Sequence, residues 1–108
     1  MEIIFHAHHA PVSAPMRKRA EVAVRRAGLR LERTVDAIIR FEQDGPVKRV
    51  EIVFHAPRRR ELIARGEARF FGPALAQAME KLNVQIRKIR SSRRTARRAS
   101  VAVKVATA

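Results

Sequence analysis

Cations are the residues whose grouping points most directly to chemistry. Lys81, Arg87, Lys88 and Arg90 crowd the end of one periodic run, and Arg17, Lys18, Arg25 and Arg26 sit in an earlier one. Arg58, Arg59 and Arg60 make a third group, and Arg93 and Arg94 a fourth. Over residues 81–108 there are nine Lys or Arg and no Asp or Glu. Arginine's planar fork meets two phosphate oxygens at once, and each neutralised phosphate releases counterions. Cations in such uncompensated groups suit an anionic polymer.

The other reactive side chains assemble no second chemistry. His6, His8 and His9 follow one another closely but lack the i, i+4 helical spacing of a zinc protease, and no carboxylate motif completes a metal site. Glycines 28, 45, 66 and 72 form no phosphate-cradling loop or dinucleotide fingerprint. Glu61 and Glu67 share a strand face, but Arg65 stands between them, which reads as charge pairing. No nucleophile, base and oxyanion donor come together, so the expectation is a protein that is not an enzyme and uses no metal, cofactor or small-molecule substrate.

Composition agrees. Twenty-four Lys and Arg against ten Asp and Glu give a net charge of +14 and a pI of about 11.9, a balance suited to nucleic acid or an anionic surface. With 46% hydrophobic residues, the 108-residue chain can bury the core of one domain. No cysteine is available for disulfides or thiolate sites. No apolar run approaches ~18 residues, and Met1-Glu2-Ile3-Ile4-Phe5 does not open like a signal peptide. Five Phe stand without Trp or Tyr, and Phe41 and Phe54 occupy packing positions, which argues against stacking on single-stranded bases.

These cations need elements to hold them. Glu2 to Ala7 is a short strand. Ser13 caps a helix whose apolar stripe is Met16, Ala20, Ala23, Val24 and Ala27, with Gly28 as its left-handed C′ residue and Leu29 and Leu31 packing beyond. Thr34 to Gln43, Val47 to Ala56 and Glu61 to Arg69 alternate as strands, with turns at Asp44-Gly45-Pro46 and at Pro57 to Arg60. Mixed Arg and Glu on their solvated face suit cross-strand pairs. Residues 72–90 make the last helix, with Leu75, Met79, Leu82, Ile86 and Ile89 spaced four, three, four and three apart. The expected fold is α+β: a two-layer β-α-β-β-β-α domain, residues 1–90, with two helices packed on one face of a four-stranded sheet. Residues 91–108 lose the apolar stripe and read as a basic, flexible C-terminal tail; Ser100 to Val105 alternates, which leaves an added strand as the alternative.

In this order the residues resemble the ribosome hibernation-promoting factor family, also called ribosome-associated inhibitor A. The resemblance spans about residues 2–90. It rests on the "AHHAPVS" strand-to-helix corner and on "ALAQAMEKLNVQIRKIR", where Lys81-Leu82, Gln85-Ile86-Arg87-Lys88 and Arg90 match the family's Lys-Leu, Gln-apolar-basic-Lys and basic pattern. The chain departs from it at Ala7, where the family usually has Gly, and at Phe70 to Leu75, where it has an acid and a Tyr-Ala-Ala-Ile-like run. The tail is too short for the extra domain of the long form, so the likeness is to the short form.

That resemblance implies a bacterial, cytoplasmic, ribosome-associated protein, monomeric when free. It would bind the small ribosomal subunit and its ribosomal RNA in the channel of messenger and transfer RNA, inhibiting translation in stasis or stress. The competing reading is a general double-stranded RNA or nucleic-acid-binding protein, since fold does not fix function. A membrane-surface protein is disfavoured because the sheet needs the apolar helix faces.

Overall fold

Ile3–His8 forms β1, the first strand in the computed structural model, which describes residues 1–31, 36–55 and 61–107, with 92–107 as helical backbone. Then come α1 (Ala14–Gly28), β2 (Asp36–Asp44), β3 (Val47–His55), β4 (Leu62–Ala68) and α2 (Phe71–Thr107). The order is the expected β-α-β-β-β-α, and the strands lie side by side as β1-β2-β3-β4. β1 runs parallel to β2, from Ile3 opposite Ala37 to His8 opposite Glu42. A hairpin cannot join parallel neighbours, and α1 is the crossover that does. The other pairs are antiparallel. Thr34, Val35, Ala56 and the basic turn from Pro57 to Arg60 lie outside the described residues.

Local chemistry sets the turns and caps. Asp44 pairs with Val47, leaving Gly45-Pro46 as a two-residue loop, and Gly45 takes φ +57°, a left-handed value at the position where tight hairpins want glycine. The Ser13 hydroxyl accepts the Met16 N–H at 3.2 Å, capping α1, and Pro15 sits in its first turn, where a missing donor is harmless.

The far end of α1 corrects two expectations. Gly28 is the last helical residue, buried, and not left-handed. The chain leaves through a tightened right-handed turn, in which Arg30 N–H reaches the Ala27 carbonyl and Leu31 N–H that of Gly28, each at 3.1 Å. This satisfies the terminal carbonyls without a left-handed residue. The same turn throws Leu29 outward, 85% exposed, while Leu31 packs on the core as expected.

One face of the sheet and both helices enclose the core. Ala37, Ile39 and Phe41 of β2, Val50, Ile52 and Phe54 of β3, and Ala64 of β4 are buried on that face. Ala20, Val24 and Ala27 meet them from α1; Leu75, Leu82 and Ile86 meet them from α2, with Met16, Met79 and others at the margin. Phe71 adds an edge-to-face contact with Phe41, ring centroids 5.4 Å apart. Each large side chain buried fully contributes about 1.5–3 kcal/mol.

α2 approaches β4 especially closely. A Cβ on Gly66 would fall 2.8 Å from the Ala78 amide nitrogen and 2.9 Å from the Gln77 Cβ, with the Ala74 carbonyl nearer still. Small residues on both elements allow this approach, and Ala74 and Ala78 are fully buried. Two glutamines exploit it. Gln77 accepts the Glu67 N–H at 3.1 Å, and Gln85 donates to the Ile63 carbonyl at 2.8 Å. Eight helical residues rise about 12 Å and four strand residues about 13 Å, so the two bonds stay in step along the edge of β4.

α2 also does not stop where its apolar stripe stops. Its backbone stays helical to Thr107, so Ser100 to Val105 is helix and not an added strand. At 1.5 Å per residue its 37 residues span about 55 Å, which accounts for the 63 × 23 × 20 Å outline. The division at Arg90 is a change of chemistry without a change of backbone.

Candidate nucleic-acid interface

The helices run parallel. Arg19 Nη1 lies 3.5 Å from the place a Cβ on Gly72 would take, and Arg30 Nη1 donates to Asn83 Oδ1 at 3.1 Å. Eleven residues separate the two contacts on each chain segment, so the axes keep the same direction. Arg26 follows Arg19 by two helical turns and shares its flank, which faces α2. Asn83, Arg87 and Arg90 are spaced four and three apart and share the flank of α2 that faces α1. A seam of cations therefore runs between the helices and past the end of α1.

The expected site residues divide across this layer. On α1, Arg17, Lys18, Arg25 and Arg26 are all exposed, but they do different things. Lys18 and Arg26, with Arg19, rim a shallow open depression floored by Pro15, Val22 and Ala23. Arg17 stacks over the Phe5 ring at 5.6 Å. Arg25 turns the other way, pairing with Glu21 at 3.1 Å and donating to the Met1 carbonyl at 3.2 Å. On α2, Lys81, Arg87, Lys88 and Arg90 are exposed. Lys81 lies midway between Gln77 and Gln85 on the flank toward β4, with Lys88 two turns on, while Arg87 and Arg90 lie toward α1. The quartet is two pairs on opposite flanks. Arg58, Arg59 and Arg60 fall outside the described residues, and Arg93 and Arg94 continue the backbone of α2.

Two seam residues escaped the sequence reading. Arg19 stands on the flank of its helix next to the buried stripe, and Arg30 follows the helix end. Only the neighbouring helix reveals what either does. A third is Phe70, 66% exposed at the β4–α2 corner with the Lys48 ammonium 5.9 Å from its ring centroid.

The charge balance differs sharply between the two sides. α1 carries five cations against Glu21, and α2 up to Ser91 carries four against Glu80. The open face of the sheet carries Arg40, Arg49 and Arg65 against Asp36, Glu42, Asp44, Glu51 and Glu67. Those arginines are engaged. Glu51 accepts from Arg40 at 3.1 Å and also from Arg65, tying three strands together. Arg49 pairs with Glu67 at 2.8 Å, Asp44 at 3.6 Å and Glu42 at 3.8 Å. The hydrogen bond that Arg49 donates to Glu67, then the Glu67 charge, pushes the Arg49 pKa further above its ordinary value. The expected cross-strand pairing is thus present, and the unpaired positive charge faces the helix side.

His8 and His9 meet edge-on with ring centroids 4.2 Å apart, and His9 takes φ +50° at the corner before α1. Among the described residues, no three His, Cys, Asp or Glu are grouped to hold a metal ion. No helix among them is long and apolar enough to cross a membrane.

Residues 3–94 match the family described as sigma 54 modulation protein / S30EA ribosomal protein. The chain belongs to this family, that of the hibernation-promoting factors. Members are ribosome-associated factors and not a family of enzymes. The fold of this member is similar to two solved structures. A ribosomal subunit interface protein from Coxiella burnetii superposes with a TM-score of 0.71 at 19% identity, covering 84% of this chain and 99% of the other. The N-terminal domain of Protein Y from Thermus thermophilus gives 0.73 at 18%, covering 82% and 99%. Comparison with curated proteins found no match.

Proposed function

We propose that this family member is a ribosome hibernation factor. It binds ribosomal RNA of the small subunit in the channel of messenger and transfer RNA and so inhibits translation in stasis or stress. The observation that carries the reading is the segregation of charge. Cations in excess of carboxylates line two parallel helices and the seam between them, while the sheet's arginines are tied up by carboxylates. Ribosomal RNA presents phosphates and 2′-hydroxyls along irregular grooves that are recognised by shape. A seam of fixed cations meets them without reading bases. Occupancy is then the whole mechanism: the protein fills the channel, and no bond is made or broken. The basic continuation of α2 beyond Arg90 adds phosphate contacts.

Co-sedimentation with purified ribosomal subunits, set against free duplex RNA over a salt series, tests this. Neutralising ~6–10 phosphates makes affinity fall by about 10³–10⁵ between 50 and 200 mM salt on duplex. Retention on the small subunit at salt that strips the protein from duplex is the expected result. The triple variant Arg87→Glu, Lys88→Glu, Arg90→Glu should lose that retention. Equal and equally salt-sensitive binding to both would replace the ribosome reading with that of a general duplex binder.

A further inference from the structure

The open face of the sheet holds a feature that RNA binding does not use. Strand register aligns Ile4, Ile38, Val53 and Ile63 in one row across all four strands. Ile4 is 45% exposed and Ile63 44%, while Val53 between them is buried. The core is complete on the opposite face, and a solvated sheet face is ordinarily polar. A continuous aliphatic row there supports the sheet through cross-strand pairs, but the core does not need its exposed ends at Ile4 and Ile63. We propose that it is the docking surface for an extended, basic protein segment in which aliphatic and cationic side chains alternate.

Charge selects that occupant. The next row on the same face is His6, Arg40, Glu51 and Arg65, and the one after it is His8, Glu42, Arg49 and Glu67. All three arginines are already paired, so carboxylates are in surplus, five to three, on a chain whose net charge is +14. A phosphate backbone or an anionic lipid surface would meet repulsion here. So would the same face of a second copy, which carries the same surplus. A cationic segment meets attraction. Four strands about 4.8 Å apart make the row about 14 Å long, the reach of four or five extended residues. Every second side chain of such a segment points down onto the row, and its lysines reach sideways to Glu42, Glu51 and Glu67. This surface is independent of the RNA-binding reading and lies on the opposite side of the molecule.

The test is a titration of the ¹⁵N-labelled full chain with a seven-residue synthetic peptide of alternating lysine and valine, followed through amide chemical shifts. Shifts should gather on Ile38, Glu51, Val53, Ile63 and their strand neighbours and leave α1 unmoved. Glu42→Gln with Glu67→Gln should weaken binding about fivefold, the scale of two exposed ion pairs. Ile4→Thr with Ile63→Thr, both at solvent-exposed positions, should weaken it about tenfold through lost apolar burial. A glutamate–valine peptide should give no shifts, and duplex RNA should shift the helices alone. The proposal is overturned if the lysine–valine peptide shifts the helices instead, or if either double variant binds it unchanged. It is equally overturned if the glutamate–valine peptide or duplex RNA occupies the row, or if the row's shifts follow dilution of the protein alone, the mark of a second copy.

Discussion

Gly66 and Gly45 are the same residue kept for different reasons. At Gly45 the backbone demands φ +57° and nothing stands within 4 Å of an added Cβ. Alanine there meets only the left-handed penalty, about 1–2 kcal/mol. At Gly66 an added methyl meets the backbone of α2, which cannot rotate out of the way. Gly66→Ala should cost about 3 kcal/mol, the upper end of overpacking, and lower the melting temperature well beyond Gly45→Ala. Thermal unfolding of the two variants side by side checks the order. Gly45 was legible from Asp44-Gly45-Pro46 alone, because turn chemistry is local. Gly66 looked like one more small residue in an alternating strand, because its reason lies on a helix eight residues on. The same distinction separates Lys18 and Arg26, visible as exposed helix cations, from Arg19 and Arg30. The two missed arginines take their places from the packing of α1 against α2.

The two helices and four strands followed from periodicity, since each apolar stripe must be covered and the covers come in pairs. Their bounds followed to within a residue or two wherever a turn or cap marked them. What periodicity does not carry is how elements are fastened to each other. Gln77 and Gln85 read as ordinary polar residues on the solvated side of α2, yet they hold the outer edge of β4. If so, Gln77→Ala should leave the fold intact and free the Glu67 amide. Hydrogen exchange at that amide should quicken by at least about fivefold, the value of one modest hydrogen bond, while amides of β3 stay protected. The length of α2 is a related case: the apolar stripe marks where a helix packs, and the backbone stays helical beyond it, to Thr107.

At the scale of the whole molecule, we propose that the fold does not depend on the tail. Up to Ser91, where burial is described, the last buried residue of α2 is Ile86, and beyond Ser91 the chain carries Arg93, Arg94, Arg97, Arg98 and Lys104 with no acid. Truncation after Ser91 should leave the melting temperature almost unchanged. It should also flatten the salt dependence of RNA binding by about one unit of slope for every phosphate contact removed. Sedimentation of the truncated chain over a salt series, alongside its melting curve, separates the two effects. A drop in melting temperature would instead make the distal helix part of the folded unit.

The fastened edge of β4 has a consequence for self-association. An open sheet ordinarily offers two edges, each a template for another strand, and a molecule with two such ends can grow into a fibre. Here one end is plugged by helix side chains, while β1, with neither Lys nor Pro among Ile3–His8, is the edge left without such a cover among the described residues. In the language of polymer chemistry the domain is monofunctional. Strand-to-strand addition at β1 would stop at a pair, so a crowded population of this protein has a chain terminator built into every copy.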